Sequence, residues 1–475
     1  MAEKKTAGKK SAEKKSADKK KAVKNAWLKY SAAQMKEVFQ VNEGYKKFIS
    51  DCKTERECVA EVVRQAEAEG YKDLMKVKKV KPGDKLYAVN MDKAVVLFIA
   101  GKQPLEAGMK ILGAHIDSPR IDIKQVPLYE DNEMAMLDTH YYGGIKKYQW
   151  VTLPLAIHGV FVKKDGTKVN VSIGEKDDDP VVGISDLLIH LSADQMNKNA
   201  GKVIEGEDLN VNVGSIPLKD EEKEAVKANV KKILLDQYGV EEEDFLSAEL
   251  EVVPAGKARD YGLDRSMVYG YGQDDRVCAY TSMLALFHMK ETERTAVCIL
   301  VDKEEVGSIG ATGMHSRFFE NLVAELMDRM GDYSELKVRR ALANSVMLSS
   351  DVSAAFDPNY PGVNEKKNTA YFGHGLVFNK YTGARGKSGC NDANAEYMAA
   401  LRAAMEKHKV TFQTSELGKV DQGGGGTIAY IMAQYNMQVI DSGVPVLNMH
   451  APWEITSKAD VYEAMKGYEA FLAEM

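Results

Sequence analysis

Five groups of titratable residues stand directly after apolar runs, and their types suit the binding of divalent cations. In GAHIDSPR, His115 follows a run ending at Ala114, and Asp117 lies two residues on. An imidazole is a good ligand for zinc or cobalt, and a carboxylate beside it can take the other ring N–H and fix the tautomer. Alone this pair is weak, because a structural histidine has the same appearance. GYGQDDR places Asp274 beside Asp275 just before a helix-like stretch. Two like charges at a buried site need a cation or an arginine to offset them, and Arg276 serves only partly. The rival reading is a helix start, which aspartates also favour. CILVDKEEVGSIGA is the strongest of the five, with Glu304 and Glu305 between a strand-like run and a glycine-rich helix opening, where the rival reading is an acidic first turn. Carboxylates there are costly unless used. Adjacent side chains point differently, so one can grip a metal while the other acts as a base. Asp351 in MLSSDVSAAFDPNYP and His450 in VPVLNMHAPWE end two more apolar runs.

These residues suffice for two ions. Each ion needs about four ligands, and a two-metal site shares one carboxylate. Asp274 can bridge, His115 with Asp351 can complete one ion, and Glu305 with His450 the other. Glu304 is then left to move a proton. Mixed imidazole and carboxylate shells suit zinc, cobalt or manganese, so ligand type does not fix the metal; zinc is the expectation, with cobalt or manganese as alternatives.

Such clusters converge only if the chain places the ends of its strands together. Strand-like runs at 85–90, 94–100 and 109–114 follow a helical stretch at 51–69 that stops at Gly70. After Tyr261 helices and strands alternate: helix 276–289, strand 296–301, helical segments within 310–330, strand 345–348, helices 391–407 and 425–435, strands 438–440 and 444–449, and a last helix 457–472. That alternation implies an α/β fold, a largely parallel mixed sheet with helices on both faces, whose ligands gather at the carboxyl ends of the strands. Between about 121 and 255 the pattern becomes β-rich, with a hairpin around Asp165-Gly166 and a charged amphipathic helix at 219–237. The expected organisation is a tail (1–25), the first part of a catalytic domain (26–120), a β-rich insertion (121–255) and the rest of the catalytic domain (256–475).

Composition narrows the class. The chain has 475 residues, long enough for two cores, and no apolar run of the roughly 20 residues that a bilayer crossing needs. Ten of the first 24 residues are lysines, so with a net charge of -6 the body is acidic and nucleic-acid binding by the folded part is not expected. Five cysteines without a CxxC pair and without a cleavable apolar leader fit a reducing cytoplasm. Gly423 to Gly426 lack the Lys and Ser/Thr of a nucleotide loop and read as a close backbone approach near the metal pocket. Gly143-Gly144, amid Tyr141, Tyr142, Tyr148 and Trp150, is either a packed turn or a substrate wall.

Taken together, GAHIDSPR, YYGGIKKYQW, GYGQDDR, VDKEEVGS, SSDVSAAFDPNYP, NKYTG, DQGGGGTIA and VLNMHAPWE resemble, in order, the motifs of the aspartyl aminopeptidase family within the two-metal aminopeptidase superfamily. The resemblance implies a metal-dependent aminopeptidase acting on peptides, with metal ligands His115, Asp274, Glu305, Asp351 and His450, Glu304 as general base and Asp117 supporting His115. It also implies that the insertion is a dimerisation domain, that dimers assemble into a dodecamer, and that a histidine of one subunit helps shape its neighbour's site; His140 is the nearest match. His374 and Lys380 are further candidates for substrate contact. The resemblance also implies a preference for acidic first residues, which depends on polar groups lining the first pocket, and here Ala354 and Asp357 stand where the family has histidines. Rival readings are a two-metal deacylase or dipeptidase on N-acyl substrates, and a non-catalytic assembly protein of the same fold.

Overall fold

The computed structural model describes residues 24–475, so nearly all of the lysine-rich tail lies outside the described residues. Two helices open the fold, Ala32–Asp51 and Glu55–Ala68. The sequence suggested one helix over 51–69; instead Thr54 caps the second helix in a capping box with Glu57, and the chain turns at Cys52. A hydroxyl that satisfies a free backbone N–H starts a helix more firmly than periodicity alone.

The main sheet has nine strands in the order Lys72–Asp73, Lys85–Asn90, Ala94–Ile99, Ala296–Val301, Lys110–His115, Val346–Ser350, Gln438–Gly443, Leu376–Asn379 and Phe412–Thr414. The middle four, Ala296–Val301 through Gln438–Gly443, are mutually parallel, with antiparallel neighbours on either side. Successive residues of a strand enter different cores. Leu112 and Ala114 pack with Phe48, Val62 and Val461, whereas Ile111 packs with Phe319, Leu326 and Ile431. Helices therefore cover both faces, the arrangement a continuous apolar run predicts.

A second sheet of six strands, all antiparallel, is built from Lys168–Ile173, Leu155–Val162, Ala248–Pro254, Arg120–Asp131, Met134–Tyr142 and Val211–Gly214. It has its own core around Trp150, Phe161, Phe245 and Val252. The hairpin expected at Asp165-Gly166 joins Leu155–Val162 to Lys168–Ile173, and the amphipathic helix runs over Ala225–Tyr238.

A third sheet of five short strands corrects the expected strand at 444–449. After Gly443 the chain leaves the main sheet, and Pro445–Leu447 pairs with Glu454–Ser457 and Ser353–Ala354. The helices expected at 391–407 and 425–435 are shorter, Ala395–Lys407 and Ala429–Ala433. Asn391 instead donates to the Val439 carbonyl at 2.6 Å, and the glycines before Ala429 form a loop.

Candidate metal centre

Parallel strands bring the reactive residues to one edge. His115 is the last residue of Lys110–His115, Glu304 and Glu305 lie in a turn after Ala296–Val301, and Asp351 follows Val346–Ser350. Asp274 enters from the first turn of the helix Gln273–Phe287, and His450 from the turn after Pro445–Leu447. Lys303 and His450 adopt left-handed backbone, with φ of 72° and 66°. Each such residue costs about 1–3 kcal/mol, a cost that concentrates where a side chain must be aimed.

Asp274 stands in the middle. Its Oδ1 is 3.2 Å from His115 Nε2 and its Oδ2 is 3.3 Å from His450 Nε2. Ligand atoms of His115, Asp274 and Asp351 all lie within 4.8 Å of one another, and so do those of Asp274, Glu305 and His450. Glu305 Oε2 is 3.4 Å from His450 Nε2, and Glu304 Oε2 is 3.9 Å from His115 Nε2.

Both imidazoles show Nε2 to Asp274 because Nδ1 is engaged elsewhere. His115 Nδ1 donates to the Asp117 carbonyl at 3.0 Å, and His450 Nδ1 to the Gly144 carbonyl at 2.9 Å. A carbonyl only accepts, so the proton of a neutral ring sits on Nδ1 and Nε2 keeps its lone pair. The sequence pointed to the Asp117 carboxylate as this acceptor; it is the second one, with Oδ1 at 3.3 Å. That carboxylate also accepts the backbone N–H groups of Glu304 and Glu305, each at 3.2 Å, and so ties two of the clusters together.

The centre is short of positive charge. Burial, followed by repulsion from Asp274, raises the carboxyls of Glu305 and Asp351 well above their usual range. Burial pushes Glu304 up to about 7, with Asp117 and Asp274 adding to it and the two histidines opposing. For Asp274 burial acts the same way, but the nearby imidazoles of His115 and His450 outweigh it and hold its carboxyl below the usual range. Burial would lower His450, yet Asp274 and Glu305 win and raise it to about 10. Among the described residues, His115 Nε2, Asp274 Oδ1 and Glu305 Oε1 are buried with no hydrogen-bond partner. Buried polar atoms normally have partners. Unpartnered donors of nitrogen and oxygen type, this close and mostly acidic, fit divalent cations of the zinc, cobalt or manganese kind.

Beside the centre opens a cavity of about 480 Å³ whose wall includes Asn379, Thr382, Thr427, Tyr430 and Gly424 to Gly426. The loop reading of the glycines fits this position: a Cβ on Gly423 would lie 1.7 Å from the Leu417 carbonyl oxygen. The other candidates stand apart. His140 is exposed on Met134–Tyr142 and stacks on Tyr141, His374 packs near Tyr371, and Lys380 pairs with Asp392, which also holds Lys387. None of the three lines this cavity.

Sequence reasoning passed over Glu454. Fully buried, it accepts from the backbone of Gln273 at 2.6 Å and Asp274 at 3.1 Å with Oε2, and from His450 N at 3.0 Å with Oε1. One side chain thus fixes the backbone of the two turns that carry Asp274 and His450. A lone glutamate four residues after a histidine carries no such signal, and the strand it opens, Glu454–Ser457, is buried without being apolar in sequence.

Residues 48–472 match the model of a family described as aminopeptidase I zinc metalloprotease (M18). The chain belongs to the M18 family. A probable M18 family aminopeptidase 1 of Clostridium acetobutylicum is 68% identical over 454 residues, covering 94% of this chain and 98% of the relative. Its counterpart in Thermotoga maritima is 44% identical over 453 residues, covering 95% and 99%. The crystal structure of aminopeptidase I from Clostridium acetobutylicum matches with a TM-score of 0.90 at 65% identity, over 95% of this chain and 99% of that one. The M18 aminopeptidase from Thermotoga maritima matches at 0.93 and 43%, over 96% and 100%. This M18 chain is a metal-dependent aminopeptidase, a hydrolase of the zinc metalloprotease type.

Proposed function

We propose that this M18 aminopeptidase hydrolyses the first peptide bond of unblocked peptides with two zinc ions per subunit. Asp274 would help to hold both, His115 and Asp351 would complete the shell of one, and Glu305 and His450 that of the other. The observation that carries this reading is the division of the two Asp274 oxygens between two imidazoles, each with a further carboxylate within ligand reach. Bound zinc supplies a Lewis acid for the scissile carbonyl and makes water acidic enough to ionise near neutral pH.

The chain's own residues do the rest. Glu304, whose carboxyl is lifted to about 7, takes a proton from the attacking water and passes it to the departing amine. Asp117 positions His115 and the Glu304–Glu305 backbone. The cavity wall of Asn379, Thr382 and Tyr430 receives the first side chain. Among the described residues lining that cavity there is no lysine or arginine, and Lys380 is engaged by Asp392, which favours neutral over acidic first residues.

The 121–255 insertion is proposed as a dimerisation domain. A yeast relative at 20% identity and TM-score 0.74 is described as a dodecamer, and the same assembly is proposed here, with exposed His140 facing a neighbouring subunit. Sedimentation velocity of the full chain tests the assembly. Five free cysteines support action in a reducing cytoplasm, and no helix among the described residues is long and apolar enough to cross a membrane. Zinc content measured beside initial rates on unblocked leucyl, alanyl, lysyl and aspartyl substrates tests the catalytic reading. Turnover of N-acetylated substrates alone would replace it with a deacylase, and a zinc-replete protein inert on every peptide would indicate a binding protein.

A further inference from the structure

Both imidazoles of the centre are oriented by one turn of the six-stranded unit. This turn, Tyr142-Gly143-Gly144, follows the strand Met134–Tyr142. Tyr142 Oη donates to Asp117 Oδ2 at 2.8 Å, and Asp117 in turn holds His115 and the backbone of Glu304 and Glu305. Two residues later, the Gly144 carbonyl accepts from His450 Nδ1 at 2.9 Å. The turn also lies close against the centre. A Cβ on Gly143, at a φ of 75°, would meet the Glu305 Cβ at 3.4 Å, and one on Gly144 would meet His450 Nδ1 at 3.5 Å.

Tyr142 itself is held from behind. The guanidinium of Arg120 lies 3.9 Å from its ring centroid, and Arg120 is buried against Asp122 at 2.8 Å and Glu251 at 3.2 Å. Asp122 and Glu251 belong to paired strands of the six-stranded sheet, so the ring cannot swing without disturbing that sheet. Partners that fix the non-ligating nitrogen of a histidine tune its tautomer and direction, and their loss typically costs 10- to 100-fold in metal affinity or activity.

We infer that Tyr142 is a positioning residue for the metal centre, and that the Tyr142-Gly144 turn is the brace through which the β-rich unit aligns both histidine ligands. Of the two readings of Gly143-Gly144, the brace corresponds to the packed turn rather than the substrate wall. The hydroxyl of Tyr142 aligns His115 through Asp117, and the Gly144 carbonyl leaves the Nε2 of His450 free to ligate. The inference rests on the two-zinc reading, and its test separates the two.

The test uses the full chain, stripped of metal by a chelator, with zinc affinity measured by competition against a chromophoric chelator. Tyr142→Phe removes the hydroxyl and keeps the ring against Arg120. Tyr271→Phe is the matched control, because its buried hydroxyl donates to the nearby Pro119 carbonyl at 3.1 Å without reaching Asp117. Tyr142→Phe should weaken zinc about tenfold or more, lower kcat with KM nearly unchanged, and melt like wild type when metal-free. Tyr271→Phe should keep wild-type zinc affinity. Wild-type zinc affinity in Tyr142→Phe would overturn the inference, as would parallel losses of zinc affinity and metal-free stability in both variants. A wild-type chain that took up no zinc would overturn the metal reading itself.

Discussion

Glu304 and Glu305 are adjacent, yet their surroundings differ in the way their proposed roles require. The Glu305 side chain is 3% exposed and faces His450, whereas that of Glu304 is 14% exposed and stands 3.9 Å from His115. A ligand belongs in the first environment and a proton carrier in the second. Glu304→Gln should lower kcat by about 10²- to 10⁴-fold and retain zinc, checked by initial rates on a leucyl substrate beside metal analysis. Unchanged turnover would remove Glu304 from the mechanism. Metal-free His450 is held near 10, so it is protonated at pH 8 and must lose that proton before Nε2 can bind an ion. Zinc uptake at pH 8 should therefore release protons into a weakly buffered solution, and His450→Ala should release fewer. The proposed ligand positions were readable because His115, Asp351 and His450 follow apolar runs. The choice between Asp274 and Asp275 was not, because it depends on the backbone leaving helical geometry at Asp274, with φ of -81° and ψ of 108°.

At the scale of elements, strands were legible and loop walls were not. Runs such as AVCILV are apolar on both faces, and their shortness and β-branched residues favour a strand between two layers of helices. The 423–426 glycines carry no periodicity, and an element built from close backbone approaches leaves no pattern beyond the glycines themselves. Their demands still differ from one to the next. A methyl at Gly423 would collide with the Leu417 carbonyl, while one at Gly426 meets nothing within 4 Å. Gly423→Ala should destabilise the protein by about 1–3 kcal/mol and raise KM, since the loop it displaces forms the cavity wall, whereas Gly426→Ala should leave stability unchanged. Thermal melting and KM for a leucyl substrate compare the two. Equal effects would show that the wall is not set by the approach at Gly423.

On the scale of the whole molecule, the six-stranded unit and the helices around the main sheet are joined by a buried polar contact that no local pattern announces, because its members are far apart in the chain. His158 lies between Glu57 at 2.7 Å and Glu175 at 3.0 Å, while the Lys53 ammonium donates to the carbonyls of Pro254 at 2.6 Å and Gly256 at 2.8 Å. Burial alone would lower the His158 imidazolium, but hydrogen bonds to Glu175 and Glu57 outweigh burial and raise it above its ordinary 6.5. Burial would raise both glutamates, yet their bonds to His158 bring them below their ordinary 4.5. A raised imidazole stabilises fully below pH 6.5 and loses that contribution as the pH climbs through its folded value; the depressed carboxylates contribute fully above 4.5 and lose it as the pH falls through theirs. The joint is therefore tightest between these limits. His158→Gln should cost about 2 kcal/mol at pH 6, seen as a lower melting temperature of the full chain, and the gap to wild type should narrow by pH 9. A gap of the same size at both pH values would mean that the imidazolium charge contributes nothing, and that His158 joins the two parts by packing alone.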